Sequence, residues 1–241
     1  GITLGTLEAD ANVIITAAGN TAITNDAALA LQGTVTGTLA ATATTGGITD
    51  SSNLSASGNV TLNDVATAGI TLGTLEADAN VILTAAGNTA ITNDAALALQ
   101  GTVTGTLDAT ATTGDITDSD ALAVSGASVF TLGADGTNIT LDSAANAFSG
   151  AVTLKAGSSG GQTFGNIVFV DSGAIDFDSA ASADGDLFLD GGTDNTVGGT
   201  LAITATTGGI TDSATIAVTG DLTLNDVATA GITLGTLEAD A

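Results

Sequence analysis

One token recurs along this chain: a polar residue followed by two apolar residues with a single position between them. It reads Asn12-Val13-Ile14-Ile15, Asn59-Val60-Thr61-Leu62, Asn80-Val81-Ile82-Leu83, Asn138-Ile139-Thr140-Leu141, Asn166-Ile167-Val168-Phe169, Asp186-Leu187-Phe188-Leu189 and Asp221-Leu222-Thr223-Leu224. A period of two places both apolar residues on one face of a strand. Val13, Ile15, Val60, Leu62, Val81 and Leu83 are therefore expected inside. The interposed position, Ile14 in one copy and Thr61 in another, tolerates either type and is expected outside. Polar breaks at Gly19-Asn20, Asn25-Asp26, Gly46-Gly47, Asn63-Asp64 and Gly87-Asn88 supply residues that favour turns or left-handed backbone. They predict strands of about four to six residues.

The tokens sit inside a longer repeat. Residues 1–11 recur unchanged as 69–79 and as 231–241, and residues 1–50 differ from 69–118 only where Ile15 becomes Leu83, Ala40 becomes Asp108 and Gly47 becomes Asp115. Val13, Val35, Val60 and Val81 follow one another at steps of 22, 25 and 21 residues, which together make the 68-residue repeat. That spacing predicts three rungs per repeat. Each rung would hold about three short strands, stacked in register on the next at roughly 4.7–4.9 Å.

The expected fold is thus all-β, a parallel β-helix (β-solenoid) of about 22 residues per rung, with eleven or so rungs making a rod of roughly 50 Å. Parallel pairing would satisfy the backbone of each interior rung and aliphatic ladders would bury the inward faces. Asn12, Asn59 and Asn80, at equivalent token positions, would stack their amides into a ladder. Helix is disfavoured by the Thr, Val, Ile and Gly content and the missing 3.6-residue period. A pair of immunoglobulin-like sandwiches is disfavoured by rung-length steps and by the absence of Trp and Tyr. The chain reads as one continuous solenoid over 1–241. Near-identical repeats fill 1–68 and 69–124, a divergent segment spans 125–198, and the repeat resumes over 199–241.

Composition sharpens this picture. The apolar residues, 44% of the chain, are mainly Ala, Val, Ile and Leu, with six Phe and no Pro, Cys, Met, Trp, Tyr or His. Such small aliphatic residues suit a thin core. Twenty-six acids face one base, Lys155, for a net charge of −25. That field repels phosphate backbones and anionic headgroups, which argues against nucleic acid and against a membrane surface as partners. No apolar run reaches the length of a membrane span, so direct insertion is not expected. The chain begins at Gly1 without a signal peptide and returns to its own first line at the end. It is expected to be one period of a longer array.

The stretches Gly58-Asn59-Val60-Thr61-Leu62 and Ala79-Asn80-Val81-Ile82-Leu83-Thr84-Ala85-Ala86-Gly87-Asn88 resemble the repeats of the filamentous-haemagglutinin class of exoproteins and large autotransporter-type adhesins. The resemblance implies a right-handed β-helix, a bacterial source, an extracellular or cell-surface location, and a stalk or adhesin.

Little in the sequence points to catalysis. Without His, Cys or Tyr, only carboxylates and hydroxyls remain, and the pairs Asp176 with Asp178 and Asp184 with Asp186 are the candidates for carboxylate hydrolysis. A sugar cleft would also want aromatic platforms or cationic clamps, and the chain has no Trp, Tyr or His. Calcium suits the acids better, because it takes six to eight oxygen ligands. The densest cluster is Asp184, Asp186, Asp190 and Asp194, with solvated turn formation as its plainer role. Thr-x-Thr tokens at Thr34/Thr36, Thr42/Thr44, Thr102/Thr104 and Thr204/Thr206 suggest an ice-binding array only if they fall on consecutive rungs. Their concentration in one region of each repeat favours ordinary strand filling.

The divergent segment holds all six phenylalanines, at 130, 148, 164, 169, 177 and 188, as larger rungs with bulkier cores would require. Its loop over 157–162 and the acids near Asp184 are the candidate contact site, and Lys155 is expected to pair with a neighbouring carboxylate. The functional expectation is a non-catalytic structural rod that associates with itself end to end or laterally into a filament. The alternative is an adhesin module that engages a glycan or surface receptor through 125–198.

Overall fold

The computed structural model describes residues 1–157, 163–178, 185–190 and 196–239. Every regular element among them is a β-strand, and the strands pair in parallel as stacked coils of about 21 residues per turn, in about 10 turns. The first repeat supplies β1 (Ile2–Leu7), β2 (Val13–Ala17), β3 (Thr21–Asn25), β4 (Leu29–Val35), β5 (Leu39–Ala43), β6 (Ile48–Ala56) and β7 (Val60–Asp64). The second supplies β8 (Ile70–Ala77), β9 (Val81–Ala85), β10 (Thr89–Asn93), β11 (Leu97–Val103), β12 (Leu107–Ala111), β13 (Ile116–Val124) and β14 (Ser128–Leu132). The divergent segment adds β15 (Ile139–Leu141), β16 (Ala147–Phe148), β17 (Val152–Ala156), β18 (Ile167–Asp171), β19 (Ile175–Phe177), β20 (Asp186–Asp190) and β21 (Thr196–Val197). The last turns are β22 (Leu201–Ala205), β23 (Ile210–Asp212), β24 (Ile216–Val218), β25 (Leu222–Asp226), β26 (Ile232–Thr233) and β27 (Leu237–Ala239).

From β1 to β15 successive strands alternate between two long sheets. The first runs β1-β3-β5-β7-β9-β11-β13-β15-β18-β22-β25, and the second β2-β4-β6-β8-β10-β12-β14-β17-β20-β19-β23-β26. One repeat contains seven strands, an odd number, so its next copy starts on the opposite sheet. β1 lies in the first sheet while β8, its sequence twin, lies in the second; β2 and β9 are exchanged in the same way. The repeat is therefore three and a half turns. This corrects the three whole rungs expected from token spacing: Val13 stacks on Leu31, whereas Val60 pairs with Leu39 and Val81 on the other sheet.

Through the regular repeats each turn also uses two strands in place of the expected three. The longer strands bend instead, with register slips between Leu31 and Gly33, Thr49 and Leu54, and Leu99 and Gly101. Glycine is required at two of these bends. Gly33 and Gly101 both have φ +114°, and a Cβ would sit 2.0 Å from the carbonyl oxygen of Ile15 or Leu83. In the last turns the two halves of a bent strand separate into β23 and β24, and β24 joins β21 and β27 in a third, three-stranded sheet.

The inward alternation is as the pattern predicts. Ile15, Val60, Leu62, Val81 and Leu83 are buried, Thr61 points outward, and Val13 is half-buried because it stands in the first turn. Ile14 is 70% exposed. Each buried aliphatic side chain contributes about 1.5–3 kcal/mol relative to exposure, so stacking whole turns is what makes the thin core stable.

The divergent segment keeps the stack but widens it. The hydrogen bond from Thr38 N–H to Asn20 Oδ1 spans 18 residues, and its counterpart from Thr200 N–H to Asn166 Oδ1 spans 34. Phe130, Phe148, Phe164, Phe169 and Phe177 fill the larger interior, while Phe188 faces outward and is half-exposed. Phe130 meets Phe148 edge-on at 5.9 Å between ring centroids, and Phe148 stacks on Phe169 at 5.3 Å. Here too the second sheet departs from chain order, because β20 inserts between β17 and β19.

Candidate functional site

The strand β20 carries the two described members of the acidic cluster proposed for calcium. Asp184 and Asp194 lie outside the described residues. Asp186 opens β20 and is 7% exposed; Asp190 closes it and forms an ion pair with Lys155 at 3.1 Å. Four strand residues place their Cα atoms about 13 Å apart. Calcium holds its oxygens at about 2.3–2.6 Å, so one ion does not take both carboxylates. Among the described residues no group of three or more acids is placed to hold a metal ion.

The candidate hydrolytic pair is occupied in a similar way. Asp176 accepts hydrogen bonds from the Thr211 hydroxyl at 3.0 Å and the Ser213 hydroxyl at 2.7 Å, both from the next turn, while Asp178 follows the end of β19. The candidate contact loop falls on 158–162, outside the described residues, apart from Gly157.

Sequence reasoning missed what several of the ordered acids do. Asp50 accepts the N–H groups of Gly73 and Thr74 at 3.0 and 2.5 Å, together with the Thr74 hydroxyl at 2.8 Å. Asp118 accepts from the N–H groups of Asp142 and Ser143 at 3.0 and 2.9 Å and from the Asn146 amide at 2.6 Å. Asp212 accepts from Gly235 and Thr236. Each carboxylate thus ties a bend to the bend of the next turn. The recurring signal was Ile-Thr-Asp at 48–50, 116–118 and 210–212. Asp135 works likewise on Thr163: the Thr163 N–H at 2.8 Å, and then its hydroxyl at 3.1 Å, hold the Asp135 carboxyl below its ordinary pKa.

A second set of polar groups is buried. Asn93, fully buried, accepts the Ala77 N–H at 2.8 Å and donates to the carbonyls of Ala77 at 3.2 Å and Ala96 at 2.6 Å. Its twin Asn25 makes the same three bonds to Ala9 and Ala28 on the opposite sheet. Asp64 caps Gly69 N–H at 2.8 Å, and Asp171 accepts Phe148 N–H at 2.9 Å. The Asn ladder forms elsewhere than expected: Asn12 and Asn59 are exposed, and Asn12 stands on the other sheet from Asn59 and Asn80. Among the asparagines that precede a strand, Asn138 accepts Asn166 N–H and Asn166 accepts Thr200 N–H on successive turns, and Asn20 and Asn88 accept Thr38 N–H and Thr106 N–H nearer the start.

Threonines do fall on consecutive turns. Thr24, Thr42, Asn63, Thr84 and Thr102 form one outward column of the first sheet, because Thr24 and Thr84 supply the turns that the Thr-x-Thr tokens skip. The neighbouring column reads Ala22, Ala40, Thr61, Ile82 and Gln100, so a matching second threonine ladder is missing over these turns. A shallow groove of about 310 Å³ includes Thr74, Glu76, Asp94 and Thr112 in its lining, with neither an aromatic platform nor a base.

A family model described as repeats of unknown function (DUF5649) matches residues 18–85 and 86–155, together more than half of the chain. The first of these stretches holds seven strands, β3 to β9. No curated protein and no solved structure matches the chain.

Proposed function

We propose, from the premise that this chain belongs to the DUF5649 family of repeats, that it is a length-setting, non-catalytic rod of a large repeat protein at a bacterial cell surface. The observation that carries this reading is the reuse of one sequence on both sheets in one register. Ile2 pairs with Thr21, Leu4 with Ile23 and Leu7 with Asn25; three and a half turns on, Ile70, Leu72 and Leu75 pair with Thr89, Ile91 and Asn93. A unit that stacks identically wherever it falls adds reach without redesign. The ordered carboxylates support the same reading, since Asp50, Asp118 and Asp212 accept backbone N–H groups of the following turn and hold the rod together.

Insertion of one further 68-residue unit tests it. Small-angle scattering or electron microscopy should show the rod lengthened by about 17 Å per unit, three and a half turns at the inter-strand spacing. An unchanged long dimension with a thicker cross-section would refute the rod. The surface location and the haemagglutinin- or autotransporter-like character rest on repeat style. An adhesin reading is favoured by one observation: the inserted strand β20 and the widest turns occur together in the divergent segment. Binding of a glycan array by the intact chain, lost when 125–198 is replaced by regular repeat, would select it.

A further inference from the structure

All six aromatic residues of the chain lie within the described structure, and five of them fill the core. Phe188 alone faces outward. Its column on the second sheet otherwise carries Ala90, Asp108, Val129 and Thr153 on successive turns, so the ring belongs to no ladder of its own kind. Lys155, the single base of the chain, pairs in register with Asp190, two residues along β20 from Phe188. Their side chains meet at 3.1 Å and keep 40% and 34% of their surface exposed. On the other side of β20, Phe177 pairs with Leu187, and Asp178 N–H donates to the Leu187 carbonyl at 3.2 Å, which puts Asp178 beside Phe188. A half-exposed ring is thus bordered by Thr153 at one edge, by Asp178 at the other, and by the ion pair along the strand. The out-of-order position of β20 creates this set. In chain order β19 would lie against β17 and present Asp176 there in place of the ring.

We infer that Phe188, with the pair Lys155 and Asp190, forms a binding site for an uncharged pyranoside. This rests on the adhesin reading and gives it a site and a ligand class. The ring supplies the platform: its face carries the negative part of the aromatic quadrupole and attracts the C–H groups that line one side of a pyranose, which neighbouring oxygens polarise. The ion pair supplies the hydrogen bonds. The Lys155 ammonium donates and the Asp190 carboxylate accepts, so together they answer two adjacent hydroxyls, one as acceptor and one as donor. Thr153 and Asp178 stand about 4.8 Å to either side of Phe188 and the pair about 7 Å along the strand, a rim that the hydroxyls of one sugar ring span. Charge then selects the ligand. Lys155 is already neutralised by Asp190, Asp176, Asp178 and Asp108 share the same sheet, and the chain carries −25, so a carboxylated or sulfated sugar is repelled and a neutral one is not. A single platform on an open face binds weakly, with a Kd on the order of millimolar.

The test is an NMR titration of the intact chain labelled with carbon-13 in its six phenylalanine rings. The probes are the methyl pyranosides of glucose, galactose and mannose. At least one of them should move the Phe188 signal, identified by its loss in Phe188→Leu, with a Kd on the order of millimolar, while the five buried rings stay in place. Because the ring faces outward, Phe188→Leu should keep the β-sheet spectrum, and it should weaken binding, read by saturation transfer to the sugar, by at least about tenfold. Lys155→Gln should weaken it about threefold without abolishing it. The uronide of whichever sugar binds, the same ring with a carboxylate, should bind at least about tenfold more weakly than its neutral parent. The inference is overturned if no probe moves the Phe188 signal, if Phe188→Leu binds as well as the native chain, or if the uronide binds as tightly as the neutral sugar. Glycan-array binding that Phe188→Leu retains would in that event leave the adhesin reading standing with its site elsewhere in 125–198; a native chain that binds neither the array nor any probe would remove both.

Discussion

Asn93→Ala and Asn25→Ala make the same chemical change at two sequence-identical, fully buried residues whose backbone partners differ in exposure. Asn93 is fully buried and its Oδ1 and Nδ2 engage both the N–H and the carbonyl of Ala77, a residue 4% exposed. Alanine leaves those two backbone groups buried without that partner, at about 1–3 kcal/mol each. The third partner, the Ala96 carbonyl, belongs to an exposed residue, and water replaces the amide there at little cost. The loss expected at Asn93 is thus about 2–6 kcal/mol. At Asn25 the equivalent partner is Ala9, half-exposed in the first turn, where solvent reaches both groups and the loss should be about 1 kcal/mol or less. Urea denaturation followed by circular dichroism measures both, with the slope checked for constancy. Equal losses at the two sites would refute the reasoning, because they would make the amide's value independent of whether its partners can be hydrated.

The other expectations are more local. Gly101→Ala forces a left-handed backbone on a side chain and drives its Cβ onto the Leu83 carbonyl, so it should cost at least about 2 kcal/mol; Gly5→Ala, with nothing within 4 Å, should cost nothing measurable. Because Thr163 lowers the Asp135 pKa, the stability this carboxylate contributes is present above the usual carboxylate pKa and is lost as pH falls through the lower folded value. The stability difference between the native chain and Asp135→Asn should therefore narrow on acidification below pH about 4, and a pH-independent difference would refute it. Lys155→Ala breaks a pair with half-exposed side chains and should change stability by no more than about 1 kcal/mol in a urea melt. Since the net charge is −25, raising sodium chloride toward about 0.15 M should raise the melting temperature by screening repulsion, and an unchanged midpoint would show that the turns already keep the acids apart.

The alternation of Val60 with Leu62 and of Val81 with Leu83 was enough to give the inward face, because a period of two has one solution once a core exists. The count of strands per turn was not legible in the same way. Steps of 22, 25 and 21 residues equal the average turn closely enough to pass for whole rungs, yet Val35 stands at the far end of a bent strand and pairs with Ala17, not Val13. Only the pairing itself shows the offset. The insertion of β20 is hidden for a related reason: strand order is a property of the sheet, and no local run of residues encodes it. The role of Asp50 and Asp118 was not legible because the N–H donors they accept from lie one turn away, 23 to 25 residues along the chain.

An odd number of strands per repeat has a consequence for how such a rod can carry function. A repeat of whole turns would let one sheet become a binding face while the other kept to packing, because each strand would always fall on the same side. Here Leu39–Ala43 lies on the first sheet and its twin Leu107–Ala111 on the second, so any outward residue fixed in the repeat appears on both sides of the rod. The differences between the twins bear this out: Ala40 is replaced by the exposed Asp108, a surface change that leaves both strands in the same register. A partner that reads the regular repeats therefore meets two opposite, near-equivalent faces, which suits lateral packing of rods better than capture of a single ligand. Asymmetry has to come from sequence outside the repeat. The divergent segment supplies it, with all the aromatic side chains, Lys155, the inserted β20 and the widest turns in one stretch of the stack. A one-sided interaction of this rod is to be sought there, and a two-sided one along the repeats.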